Sequence, residues 1–150
     1  HGKGRAVLFG FLPGQAYLKS GLPLLPPDRG STDAAFAHYL PTTMDAKIRA
    51  ALVDAFLPKD FVKPVECSET LVEATCLDTP AGKGTPARLA VPLMNFTGKK
   101  IDKLTVTLNG LADAKAIRSV EQGALKFEKK DGALVVTIPL DVTDMLLVDR

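Results

Sequence analysis

The chain has 150 residues, 46% hydrophobic and 24% charged, which is the balance of a globular protein and excludes intrinsic disorder. Nineteen basic and seventeen acidic residues leave a formal net charge of +2. Nucleic-acid binding requires a concentrated basic face, so this balance argues against a nucleic-acid partner. No apolar run approaches the roughly 20 residues of a spanning helix, so we expect no membrane insertion.

Residues 6–12 form the first element, which is apolar on both faces and ends at Pro13-Gly14. A strand covered on both sides has this pattern, whereas a strand on a solvated surface alternates. We therefore predict a strand that a sandwich, a second copy of the chain or a further sheet must cover. A buried strand at the very start also suggests that the sequence is the end of a longer protein.

Prolines interrupt residues 21–43 and disfavour a long regular element there, although a short helical turn over residues 33–39 is compatible with the sequence. A connection this long and irregular is often a functional loop or an interface segment. The candidate binding residues come from this part of the chain and its flank. They are Tyr17, Asp28, Arg29, His38 and Tyr39.

A helix is predicted over residues 44–57, because apolar side chains recur at spacings of three and four. Thr43 can cap it, Asp45 lies in the first turn, and Pro58 ends it.

Short β-type runs separated by turn signals fill the rest of the chain, and they predict a mainly β fold. The predicted strands are residues 65–70, 71–78, 88–96, 101–108, 116–121, 125–128, 133–140 and 145–148. Seven or eight strands with frequent turns are typical of an antiparallel β-sandwich. We predict a sandwich domain over residues 61–150. Residues 1–60 would then be a strand, a Pro-rich loop and one α-helix, as a remnant or appendage of an α/β domain.

Cys67 and Cys76 are the two cysteines of the chain. Without nearby histidines they cannot form a structural zinc site, so no metal site is expected. If they lie on neighbouring strands, a disulfide is geometrically allowed. Two buried thiols are the default alternative.

The segments "GKGRAVLFGF", "LVEATCLDT", "VPLMNFTGKKIDKLTVTL", "AIRSVEQGALKFE" and "ALVVTIPLDVTDMLLV" resemble the C-terminal region of multidomain bacterial beta-galactosidase-like glycosidases. In these proteins a catalytic barrel precedes a flavodoxin-like trimerisation domain and a terminal β-sandwich. The resemblance implies that residues 2–12 match the last strand of the trimerisation domain. It also implies that the catalytic carboxylates lie on a barrel outside this sequence, and it favours a secreted or periplasmic location.

Two sets of side chains contain groups that catalysis could use. Asp141 and Asp144 flank a turn, where aspartate is a usual turn former. Ser31 and His38, together with Asp28 and Asp33, contain the ingredients of a nucleophile triad, but Ser31 is more simply a helix cap. We therefore predict no catalytic residue and no cofactor.

The sequence thus predicts a non-catalytic accessory domain that stabilises or oligomerises a larger, carbohydrate-active protein. Its partners would be other domains of that protein or a second copy of the chain. A carbohydrate-binding module is an alternative, although the chain has no Trp on which a sugar ring could stack. A small hydrolase using residues 28–39 is the second alternative.

Overall fold

A computed structural model describes residues 4–19, 45–80, 82 and 88–150. The chain divides into two compact units, His1–Phe61 and Val62–Arg150. Several predicted features lie outside the described residues. They are Asp28, Arg29, Ser31, His38, Tyr39, Thr43 and the helical turn over residues 33–39.

The described part of the first unit contains two helices, α1 (Pro13–Leu18) and α2 (Ala46–Phe56). Helix α2 matches the predicted helix, but Asp45 is its N-cap rather than a residue of its first turn. The Asp45 carboxylate accepts hydrogen bonds from the backbone N–H groups of Lys47 at 2.8 Å and Ile48 at 3.0 Å. Helix α1 was not predicted, although proline at a first helical position favours a start there.

Residues 6–12 do not form the predicted strand, since none of the described strands pairs with them. Their aromatic side chains instead contact one another and α2. The Phe9 ring lies 5.7 Å from Phe11 and 6.2 Å from Phe56, measured between centroids. A run of apolar residues without alternation is as compatible with such a local cluster as with a covered strand, and for this reason the strand prediction was wrong. Leu8 nevertheless remains 96% exposed.

Arg5 fixes the start of this segment to the end of α2. Its guanidinium donates hydrogen bonds to the backbone carbonyls of Asp54 and, at 2.9 Å, Ala55. The last carbonyls of a helix lack partners within the helix, so the Arg5 donors satisfy two of them. The positive charge of Arg5 also interacts favourably with the negative end of the helix dipole.

The second unit is an antiparallel β-sandwich, and the predicted mainly β fold class is confirmed. Its described strands are β1 (Val65–Cys67), β2 (Val72–Ala74), β3 (Leu77–Thr79), β4 (Arg88–Asn95), β5 (Ile101–Asn109), β6 (Ala116–Ser119), β7 (Gly123–Ala124), β8 (Glu128–Lys130), β9 (Ala133–Leu140) and β10 (Thr143–Asp149). These ten exceed the predicted seven or eight because residues 65–78 form three strands, and two short strands replace the one predicted at residues 125–128.

The strands form two sheets. A four-stranded sheet has the order β1-β5-β9-β8, and a six-stranded sheet has the order β2-β4-β10-β6-β7 with β3 also paired to β4. Strands β2 and β3 therefore lie along successive parts of the same edge of β4. The β8–β9 hairpin closes at Asp131 and Gly132, whose φ angles of 50° and 79° suit the type I′ turn that an Asp-Gly pair favours.

Alternate side chains of the long strands fill the space between the sheets. Seven alternating side chains of β5 and β9 are buried, since every second residue points to the same side of a sheet. They are Leu104, Val106, Leu108, Leu134, Val136, Ile138 and Leu140. Strands β4 and β10 complete the core from the opposite sheet with Leu89, Val91, Leu93, Leu146 and Val148.

Leu146→Ala should destabilise the sandwich by about 2–5 kcal/mol, because the side chain is fully buried and its removal leaves a cavity. The free energy of unfolding in urea measures this loss. Met145→Ala is the matched control on the opposite face of the same strand and should cost less than about 1 kcal/mol. Equal losses for the two variants would contradict the assignment of the faces.

Candidate functional site

A shallow depression of about 190 Å³ lies at one end of the sandwich. It is formed where the turns β4–β5, β6–β7 and β9–β10 meet. Its lining residues are Lys100, Glu121, Gln122, Pro139, Leu140, Asp141, Thr143 and Asp144. The depression contains both members of the carboxylate pair considered above.

A buried serine–aspartate pair lies beside the depression, which Asp144 helps to line. The Ser119 hydroxyl, at the end of β6, donates a hydrogen bond of 2.5 Å to the Asp144 carboxylate of β10. The Ser119 hydroxyl oxygen also accepts hydrogen bonds from the backbone N–H groups of Glu121 at 3.1 Å and Gln122 at 2.9 Å. Asp144 also accepts from the Gln122 side-chain amide and from the backbone N–H of Met145. We call this set of contacts the serine clamp.

A second clamp, centred on Asn95, fixes the neighbouring turns. The Asn95 side-chain N–H₂ donates to the backbone carbonyls of Lys99 at 2.8 Å and Asp141 at 2.6 Å. Its side-chain oxygen accepts from the Thr97 backbone N–H and hydroxyl at 2.9 and 2.7 Å. The asparagine clamp thus joins the β4–β5 turn to the β9–β10 turn, using all the hydrogen-bonding capacity of one amide.

Both clamps use their polar groups internally. Ser119 is only 2% exposed and its hydroxyl already makes three hydrogen bonds, so it is held away from any substrate. Asp144 has both carboxylate oxygens engaged, whereas Asp141 is exposed. General acid–base catalysis requires a carboxyl group that can reach the reacting proton, and Asp144 is instead committed to holding turns. We therefore interpret the cluster as structural.

Cys67 and Cys76 are both half-buried free thiols that pack against the core. Burial raises the pKa of both thiols, and the Arg150 charge partly opposes this for Cys76. Disulfide formation between them stays a prediction. Among the described residues no group of ligating side chains could hold a metal ion.

Of the predicted binding residues, Tyr17 is the one that the structure describes. It is half-buried near the end of α1, and its backbone carbonyl accepts the N–H of Asp45 at 3.3 Å. The binding site predicted from these five residues therefore stays a prediction. Neither of the two described helices is long and apolar enough to cross a membrane.

The outer faces of the two sheets differ in chemistry. On the four-stranded sheet, cross-strand neighbours are mostly polar: Thr105 lies opposite Thr137, and Thr107 is flanked by Glu66 and Val135. The two threonine hydroxyl oxygens of the first pair are 3.5 Å apart. Polar side chains of this kind are typical of a sheet face that is exposed to solvent.

The outer face of the six-stranded sheet is apolar across β3, β4 and β10 and at Val120, the residue that follows β6. Leu77 lies opposite Ala90, and Ala90 lies opposite Leu147. In the adjacent row Pro92 lies opposite Met145, and the Val120 backbone N–H donates to the Met145 carbonyl at 2.9 Å. We call these six residues the outer apolar band. Leu77 is 50% exposed, Val120 59% and Met145 36%.

The serine clamp and the outer apolar band were both missed in the sequence. The sequence of β10 does indicate the band, since the outward-facing Met145 and Leu147 alternate with the buried Leu146 and Val148. The pattern shows that both faces of this strand are apolar, but identifying the neighbouring side chains required the register. The Ser119–Asp144 pair lacks a spacing motif because its members come from different strands.

No family model matches the chain, and no curated protein matches it. Among solved structures, alpha-L-fucosidase isoenzyme 2 from Paenibacillus thiaminolyticus is similar, with a TM-score of 0.45 and 13% identity over 58% of this chain. The match spans 15% of the fucosidase chain. The resemblance to the C-terminal region of beta-galactosidase-like proteins stays a prediction.

Ser119→Ala should lower the free energy of unfolding by about 1–3 kcal/mol, because it removes the acceptor of the Gln122 backbone N–H and the shortest hydrogen bond to the buried Asp144 carboxylate. Urea denaturation measures the change. Ser68→Ala is the matched control: that hydroxyl is exposed and accepts a single backbone N–H, from Thr105 at 3.1 Å. A loss for Ser119→Ala no larger than that for Ser68→Ala would contradict the clamp.

Arg150→Gln should slow alkylation of Cys76 by iodoacetamide at a fixed, mildly alkaline pH. The thiolate is the reacting form, and removing the positive charge that lowers the pKa of Cys76 reduces its population. Cys67 is the internal control, because burial alone raises its pKa. Mass spectrometry of the labelled peptides distinguishes the two, and equal slowing of both thiols would contradict the prediction.

Proposed function

We propose that the chain is a non-catalytic accessory domain that stabilises a larger, carbohydrate-active protein. The observation that carries the proposal is the outer apolar band, an exposed apolar surface on a sheet whose other face already covers a complete core. Exposed apolar surface of this kind is typical of a protein–protein or interdomain contact.

The contrast between the two sheets supports this reading. Both sheets contribute buried side chains to the same core, so the core explains neither outer face. The four-stranded sheet carries threonine and glutamate outward, whereas the six-stranded sheet carries leucine, methionine, valine and proline. Burying such side chains stabilises by roughly 25 cal/mol per Å² of apolar surface.

The first unit provides independent support. Leu8, Leu12 and Phe56 are each more than half exposed, although Phe9 and Phe11 contact each other and α2. Both ends of α2 are already capped, by Asp45 at its start and by Arg5 at its end. The unit thus combines a defined local structure with apolar surface available to a partner.

The proposed link to carbohydrate chemistry comes from the sequence resemblance to the terminal sandwich of glycosidase-like proteins. The clamps favour a non-catalytic role, because the buried hydroxyl and carboxylate of the depression stabilise turns. In this proposal hydrolysis belongs to another domain of the same protein.

Deleting residues 62–150 from the longer protein should shorten the half-life of its glycosidase activity on heating, while kcat/KM at low temperature stays unchanged. The isolated chain should hydrolyse none of a panel of aryl glycosides. Hydrolysis by the isolated chain, or a deletion that leaves thermal inactivation unaltered, would refute the proposal. Retention of the isolated chain on a polysaccharide column would favour the carbohydrate-binding alternative instead.

A further inference from the structure

We propose that the outer apolar band docks onto a neighbouring domain of the same longer protein, rather than onto a second copy of this chain. The inference rests on the proposed function and adds the identity and the surface chemistry of the partner. Three properties of the band support it: its size, the charges at its borders and the stability of the sheet beneath it.

The size of the band favours a tethered partner. Three strands at a spacing of about 4.8 Å and two rows of side chains about 7 Å apart cover roughly 200 Å². A stable complex between separate proteins buries about 800 Å² on each partner. A covalently linked domain needs less, because the linker holds it at an effective concentration in the millimolar range.

The charges at the borders of the band define the partner surface. Glu73 lies beside Met94 at one border, and Arg118 lies beside Leu147 at another. Among the described residues neither charge takes part in an ion pair, whereas the nearby Arg88 and Asp149 neutralise each other at 2.9 Å. Charge complementarity therefore requires a partner surface with an apolar centre, a basic group facing Glu73 and an acidic group facing Arg118.

The strands beneath the band are rigid enough to present it. Strand β10 pairs with β4 along seven residues and with β6 along four. Its inward side chains Leu146 and Val148 are fully buried. A docking surface on such a central strand is formed before the partner binds, so little ordering entropy opposes docking.

Oxidation of Met145 by hydrogen peroxide tests the docking directly. Met145 lies within the band, and covering its thioether slows conversion to the sulfoxide. Its oxidation rate should be roughly fivefold or more slower in the longer protein than in the isolated chain, the ratio that a docking free energy of about 1 kcal/mol produces. Peptide mass spectrometry gives the rate for this residue alone.

Leu147→Lys in the longer protein should restore fast oxidation of Met145, because it places a charge in the apolar contact. Thr137→Lys is the matched control, since it adds the same side chain at an exposed strand position on the polar face. This variant should leave Met145 protected. Circular dichroism of the isolated chain checks that both variants fold.

Equal oxidation rates in the longer protein and the isolated chain would overturn the inference. If deletion of residues 62–150 still hastened thermal inactivation, the proposed function would stand and the docking surface would lie elsewhere. Sedimentation velocity of the isolated chain supplies the remaining outcome. A dimer that Leu147→Lys dissociates would identify a second copy as the occupant and would also overturn the inference.

Discussion

The register of β10 against β4 is the constraint on which the sandwich depends. It places Leu146 and Val148 between the sheets, and it places Met145 and Leu147 on the outside next to Pro92 and Ala90. A slip of one residue would exchange these two sets. Because both sets are apolar, hydrophobic patterning alone specifies this register weakly. Hydrogen bonds at the strand ends must contribute.

The two clamps provide those hydrogen bonds. The Ser119 hydroxyl donates a hydrogen bond to Asp144 near the start of β10, and the Asn95 side chain donates one to the carbonyl of Asp141 just before the strand. A shift of β10 by one residue would move Asp144 out of reach of the Ser119 hydroxyl and leave that buried hydroxyl without its carboxylate acceptor. Leaving a buried polar group unpaired costs about 1–3 kcal/mol, whereas exchanging Met145 and Leu146 between the faces changes the apolar burial little. Polar contacts at the end of the sandwich thus determine which apolar face remains outside.

Much of the fold could be predicted from the sequence, because the half-buried strands alternate clearly. Leu104 to Leu108 and Leu134 to Leu140 show this alternation, and Asp131-Gly132 identifies the hairpin between β8 and β9. The segment at residues 6–12 was misassigned for the opposite reason, since a run without alternation carries no information about its partner. Its Phe9 contacts Phe56 of α2, nearly fifty residues further along the chain, and no local pattern encodes that contact.

The candidate surfaces were harder to predict than the fold. The serine clamp and the outer apolar band each join residues from separate strands, so they become visible only with the pairing of the sheet. Single-residue reasoning instead favoured Tyr17, Asp28, Arg29, His38 and Tyr39, whose residue types suit sugar binding. Four of these lie outside the described residues, and that hypothesis stays a prediction.

The terminal position of β8 in the four-stranded sheet has a consequence for solubility. Its three residues, Glu128, Lys129 and Lys130, are all exposed. A foreign strand that approached this border would have to desolvate closely spaced ammonium groups before its backbone could form hydrogen bonds, and lysine at an edge is a common natural barrier to such growth. At this border the charged side chains therefore oppose the addition of further strands, and with it the growth of the sheet into fibrils.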